Sequence, residues 1–304
     1  MTASSLPRAR TPRARIPRAS FTGALRGELH KLRCLHSTWV VVGLGLLFLA
    51  LFMTVAGTET SFRHLFTSRP LVGFKDFLQP LEAFFAAGAG IALLLAGSRL
   101  VGMEYQLGTI RLLLARGTGR WQLLLAKIAA LCIFGLALLV GYAVLAAAGT
   151  SVVVLHQTGG LAPLESLPAS AWDDAGLAAG FCAISVASCV LLAACLATLW
   201  RSQSGGMILA VVFFPVDNAL SVGLAQVSRL TGSPIWKDVT ALLFGPSLNR
   251  LPNLLQVQPS GTVSGLPQPQ VATSLEQTGL VIAAWWVLLL LLALTSLARR
   301  DVLS

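Results

Sequence analysis

The sequence predicts an all-α polytopic membrane protein with six transmembrane helices, an N-terminal amphipathic elbow helix, and both termini cytoplasmic. Three observations carry that expectation. Of 304 residues, 55% are hydrophobic and only 11% charged, and the mean hydropathy is +0.77. A soluble domain carries about a quarter charged residues, so a water-soluble globular enzyme fits poorly. Six charge-poor runs fall near residues 39–57, 82–102, 121–149, 175–200, 205–227 and 279–298. Each is long enough to cross ~30 Å of hydrocarbon as a helix that satisfies its own backbone. Finally, Lys and Arg divide unevenly between alternate connections, sixteen against six. That asymmetry places residues 1–38, the 99–127 connection, Arg201 and the Arg299-Arg300 tail on the cytoplasmic side.

Residues 1–20 read as a basic, disordered arm. Leu6-Pro-Arg-Ala-Arg10, Thr11-Pro-Arg-Ala-Arg15 and Ile16-Pro-Arg-Ala-Ser20 repeat with a five-residue step, and proline at that spacing forbids a regular helix. The arm either touches anionic headgroups, at about 1 kcal/mol per basic residue, or is simply a positive-inside tail. A transit peptide shares its Arg-rich, acid-poor composition. A cleavable signal peptide does not fit, because the apolar run starts only at Trp39. The net charge of +10 is therefore read as an orientation signal, and nucleic acid is not expected as a partner.

Residues 21–38 form the elbow. Phe21, Leu25, Leu29 and Leu32 share one helical stripe, with Arg26, His30, Lys31 and Arg33 around it. Such a helix lies in the interface plane, apolar side toward the acyl chains, and Trp39 marks the headgroup level. It serves either as an anchor or as a docking surface for a cytoplasmic partner.

The connection between the second and third spans is longer than a turn needs. Gly108-Thr109 breaks and caps it. A short amphipathic helix follows, with Ile110, Leu113 and Leu114 set against Arg111 and Arg116. Gly117-Thr118-Gly119 then precedes Arg120-Trp121, where the chain returns to the membrane. A basic helix on the inner face suits either headgroups or a groove on a soluble domain.

The remaining candidates are few. Asp217 follows Pro215 inside the fifth run, where a charge at bilayer depth costs at least ~2.5–3.5 kcal/mol. It is read as a polar point in a transport cavity, a proton-coupling carboxylate, or the sign of a helix that ends early. The five cysteines show no CxxC or zinc spacing and read as apolar filler, and His64 and His156 have no metal-spaced partner. No metal or cofactor is expected in this chain. The Pro-rich stretch from 228 to 278 is expected to hold short helices at the outer face.

Several of these stretches together resemble the membrane (permease) subunit of ABC type-2 transporters. They are Glu28-Leu-His-Lys31-Leu-Arg33 before a Trp-led span, Gly102-Met-Glu104 with Gly108-Thr109-Ile-Arg111, Arg116-Gly-x-x-Arg120, Leu125-Ala-Lys127 and Arg201-Ser202. The resemblance implies a dimer of six-span subunits forming the substrate path in a prokaryotic cell membrane. Each subunit would couple to a separate cytoplasmic ABC ATPase through the 102–121 loop and the elbow. This chain has no G-x-x-x-x-G-K-[ST] phosphate loop, so ATP and Mg would belong to that partner and the chain itself would be non-catalytic. On this reading Glu104, Gly108, Thr109, Arg111, Arg116 and Arg120 carry the coupling, the arginines pairing with acids on the ATPase. Glu28, Lys31 and Arg33 belong to the elbow. Glu104 is placed to bridge Arg99 or Lys31, joining elbow and loop into one lever. The alternative from the residues alone is a secondary, ion-coupled transporter using Asp217. A membrane anchor or assembly factor without transport would leave the basic loop unexplained.

Overall fold

The computed structural model describes residues 20–109, 119–255 and 266–299, with side chains to Leu297. Arg111 and Arg116 lie outside the described residues, as do most of the basic arm and part of the Pro-rich stretch from 228 to 278. Eleven helices run through the described segments, with no strand among them. In chain order they are α1 Phe21–Cys34, α2 His36–Thr58, α3 Thr60–Ser68, α4 Pro70–Gln106, α5 Arg120–Thr158 and α6 Ala162–Glu165. After these come α7 Ala169–Trp200, α8 Gln203–Thr231, α9 Ile235–Thr240, α10 Phe244–Leu254 and α11 Leu275–Arg299.

Six of the described helices, α2, α4, α5, α7, α8 and α11, are long and apolar enough to cross a membrane. Each contains one of the six runs and extends beyond it, because charge-free composition marks only the hydrocarbon-length middle of a helix. The largest extension is α4, which begins twelve residues before the run at 82. Phe74, Phe77, Leu78, Leu81 and Phe85 continue its helical stripe outward.

The bundle is organised around α4 and α7, which share its most extensive contact. In their apolar windows 61% of residues are buried, against 11% in α2, so α2 turns most of its surface outward. Lipid tails are as apolar as leucine, so helices associate in a bilayer through close backbone packing at small residues. Gly97 meets Ala193 so closely that an added Cβ would lie 2.7 Å from the alanine Cβ. Around this seam sit Leu93, Leu131, Val190, Leu192 and Ala193. A second cluster, with Phe66, Phe77, Val154 and Ala171, joins α3, α4, α5 and α7.

Between α7 and α8 the turn is short. Arg201 adopts a positive φ of 52° and lies over the Tyr105 ring at 5.9 Å. Ser202 then caps α8 by accepting from Gly205 N at 3.4 Å. Pro215 does not end α8, which runs on to Thr231.

Candidate functional site

Four charged side chains from three elements converge at the end of the bundle where α1, the end of α4 and the start of α5 meet. Ser20 caps α1 through Gly23 N at 3.3 Å, setting a helix whose buried residues are Glu28 and Leu32. These positions are one turn apart on one face. The face that packs inward therefore carries a carboxylate, and it needs a counter-charge.

Lys31 supplies one and Lys127 another. Lys31 Nζ donates to Glu28 Oε1 at 2.8 Å and to Glu104 Oε1 at 2.6 Å. Lys127 Nζ donates to Glu28 Oε2 at 3.0 Å and to the Leu100 carbonyl at 2.9 Å, and pairs with Glu104 Oε1 at 2.9 Å. Two lysines thus face two glutamates. Glu28, Glu104 and Lys127 are 3%, 6% and 3% exposed, so water screens their mutual attraction little. Burial pulls the Lys31 ammonium down, but its bonds to Glu104 and Glu28 outweigh that and hold its pKa above the ordinary lysine value. It therefore stays charged throughout the physiological range.

The structure thus places Glu104 on Lys31, and also on Lys127, rather than on Arg99, whose guanidinium donates to Ser37 Oγ. The other residues picked from the sequence stand around this cluster. Arg33 is exposed, and its carbonyl accepts from Trp39 Nε1 at 2.9 Å. Gly108 has a positive φ of 66° just beyond α4, a conformation that suits glycine, and Thr109 follows half-buried. Arg120 opens α5 and donates to the Leu297 carbonyl at 3.3 Å, tying that corner to α11. Gly102 lies so close to the start of α8 that a Cβ there would sit 2.6 Å from Gln203 Cα.

The chain matches the model of the ABC-2 family transporter proteins over residues 24–217. That stretch runs from α1 to Asp217 in α8 and holds all four members of the charge cluster. The chain belongs to the ABC-2 transporter family. It is the membrane permease component, of a kind that is typically non-catalytic and associates with ABC ATPases. No curated protein matches it.

In this ABC-2 permease, Asp217 lies midway along α8. The helix does not end early, and its Asp217 carboxylate is largely buried. It is 8% exposed, and Oδ2 accepts from Gly245 N, in the first turn of α10, at 2.5 Å. A carboxylate at a helix N-terminus satisfies an amide that has no partner within its own helix. Asp217 therefore fastens α10 to α8. Its neighbours Pro215 and Asn218 do line a cavity of about 620 Å³ between α4, α7, α8 and α10.

Two residues were given no site role from the sequence, although Lys127 stood in the family resemblance. Lys127 is the only charge between Arg120 and the end of α5, and an isolated lysine just inside an apolar run marks a buried partner. Glu82 was read as the outer boundary of the second span. The stripe upstream of it shows that it lies well inside a longer helix.

Proposed function

We propose that this permease is the membrane half of an ATP-driven exporter, working as a dimer of such subunits in the plasma membrane of a prokaryotic cell, with both termini cytoplasmic. A separate cytoplasmic ATPase supplies ATP and Mg chemistry and engages the 102–121 loop and the elbow. The observation that carries this reading is the Glu28–Lys31–Glu104–Lys127 cluster. It ties the elbow to the last turn of α4 and the second turn of α5, the two helices that flank the loop. A push on the loop therefore moves three elements as one body. Buried ion clusters add little net stability over apolar packing, so holding the elements in register is a better account of this one than stability is. The asymmetry of Lys and Arg supports the orientation. The alternative, an ion-coupled carrier using Asp217, is less favoured, because that carboxylate already accepts from an amide of α10.

The test is purification in mild detergent followed by reconstitution. An ATPase chain is expected in equal number with the permease. Glu104→Gln and Arg111→Ala are expected to keep the complex assembled and hydrolysing ATP while substrate efflux falls. Unchanged efflux in both variants, or a permease that purifies without an ATPase, would overturn the proposal.

A further inference from the structure

Glu82 stands out among the ionisable groups of the membrane-spanning helices. It is 4% exposed, and among the described residues neither carboxylate oxygen has a hydrogen-bond partner. It borders two cavities at once. One, of about 210 Å³, lies between α4, α5 and α7. The other is the cavity of about 620 Å³ between α4, α7, α8 and α10. The buried Glu28 and Glu104 face lysines, and Asp217 accepts from an amide. Glu82 alone among these four is left without a donor.

The lining of the larger cavity fits a particular visitor. Its walls are mostly aliphatic, with the rings of Phe181 and Phe214, and among the described residues that line it Glu82 is the one acidic group and none is basic. Its two asparagines bond to each other. Asn249 Nδ2 donates to Asn218 Oδ1 at 2.9 Å and to the Pro267 carbonyl at 2.8 Å. The nearest cation on the same helix, Lys75, is paired with Asp174 at 2.8 Å. An apolar chamber with one uncompensated carboxylate and aromatic faces favours a ligand that is apolar in body and positive in charge.

We propose that this cavity is a binding site for lipophilic organic cations, with Glu82 as the counter-charge. The site deepens the permease reading by naming a substrate class, and its role in transport rests on that reading. Binding at the site does not. A buried carboxylate in a bilayer costs free energy unless it is protonated or paired, and a bound cation would supply the pairing. Ser185 and the two phenylalanines shape the chamber, and Glu82 sets the sign of the charge it accepts.

The probe is tetraphenylphosphonium, with tetraphenylborate as a comparison of nearly the same shape and opposite charge. Equilibrium binding is measured on the permease and any co-purifying chains in lipid nanodiscs, with empty nanodiscs as background. Saturable binding of the phosphonium is expected, with none for the borate. Glu82→Gln keeps the side-chain shape and removes the charge, and is expected to weaken phosphonium binding by at least about tenfold. Ala86→Phe fills the chamber while leaving the carboxylate in place, and is expected to weaken binding similarly even if the glutamine variant folds poorly. The proposal is overturned if a folded Glu82→Gln protein binds the phosphonium as tightly as the parent, if Ala86→Phe leaves binding unchanged, or if the borate binds equally well. Charge-selective binding by a permease that carries no ATPase would sustain the site and sink the exporter reading. A co-purifying ATPase with no charge-selective binding would do the reverse.

Discussion

Removing an opposed pair from the four-charge cluster should cost clearly less than the two single removals added together. Lys127 Nζ and Glu104 Oε1 are 2.9 Å apart, and both residues are nearly fully buried. Two unit charges at that separation interact by about 6 kcal/mol at an effective dielectric of about 20. Desolvation offsets much of this in the intact cluster, but breaking one partner leaves the other buried and unpaired, at about 3–5 kcal/mol. Glu104→Gln leaves two lysines facing Glu28 alone, and Lys127→Met leaves two glutamates facing Lys31 alone. The double variant retains one glutamate and one lysine, Glu28 and Lys31, still 2.8 Å apart. The double-mutant cycle should therefore show a coupling energy of about 2–3 kcal/mol, at the upper end of the range for residues in one ionic network. The assay is denaturant titration of the purified permease in mixed micelles, comparing unfolding free energies of parent, singles and double. If the two single losses add to the double within about 0.5 kcal/mol, the four groups do not act as a unit, and the argument for a rigid elbow and loop fails with them.

Further variants probe the packing that positions this site and the contact between α8 and α10. Asp217→Ala removes the acceptor for an amide in the first turn of α10 and should cost about 1–2 kcal/mol, as losing a helix cap does. Asp217→Asn keeps an acceptor and should cost less, and proteolysis of the 232–275 stretch in the alanine variant would report α10 coming loose. Gly102→Ala would put a Cβ 2.6 Å from Gln203 Cα and 2.9 Å from Gln203 N. That is backbone, which cannot rotate away, so the expected loss is about 1–3 kcal/mol. Gly88→Ala meets nothing within 4 Å and should be neutral in the same thermal unfolding experiment, so equal losses at both glycines would contradict the close approach of α4 and α8.

The six spans and the membership of a transporter family were legible in the sequence, because each depends on local composition or on short contiguous motifs. A run of apolar residues of bilayer length has few alternatives to a spanning helix. Glu28, Lys31 and Glu104 were also visible as charged positions in or beside apolar stretches. Which charge meets which was decided only by the tertiary structure. Lys31 and Glu104 are 73 residues apart, Glu28 and Lys127 are 99 apart, and Asp217 finds Gly245 across 28 residues. The same holds for Glu82, which looks like a boundary residue until α4 is seen to continue outward past it and α7, α8 and α10 close around it. The sequence determines where a charge is costly through the local run that surrounds it. Whether a lysine, an amide or an open chamber answers that charge depends on helices brought together by packing, and no local pattern encodes that.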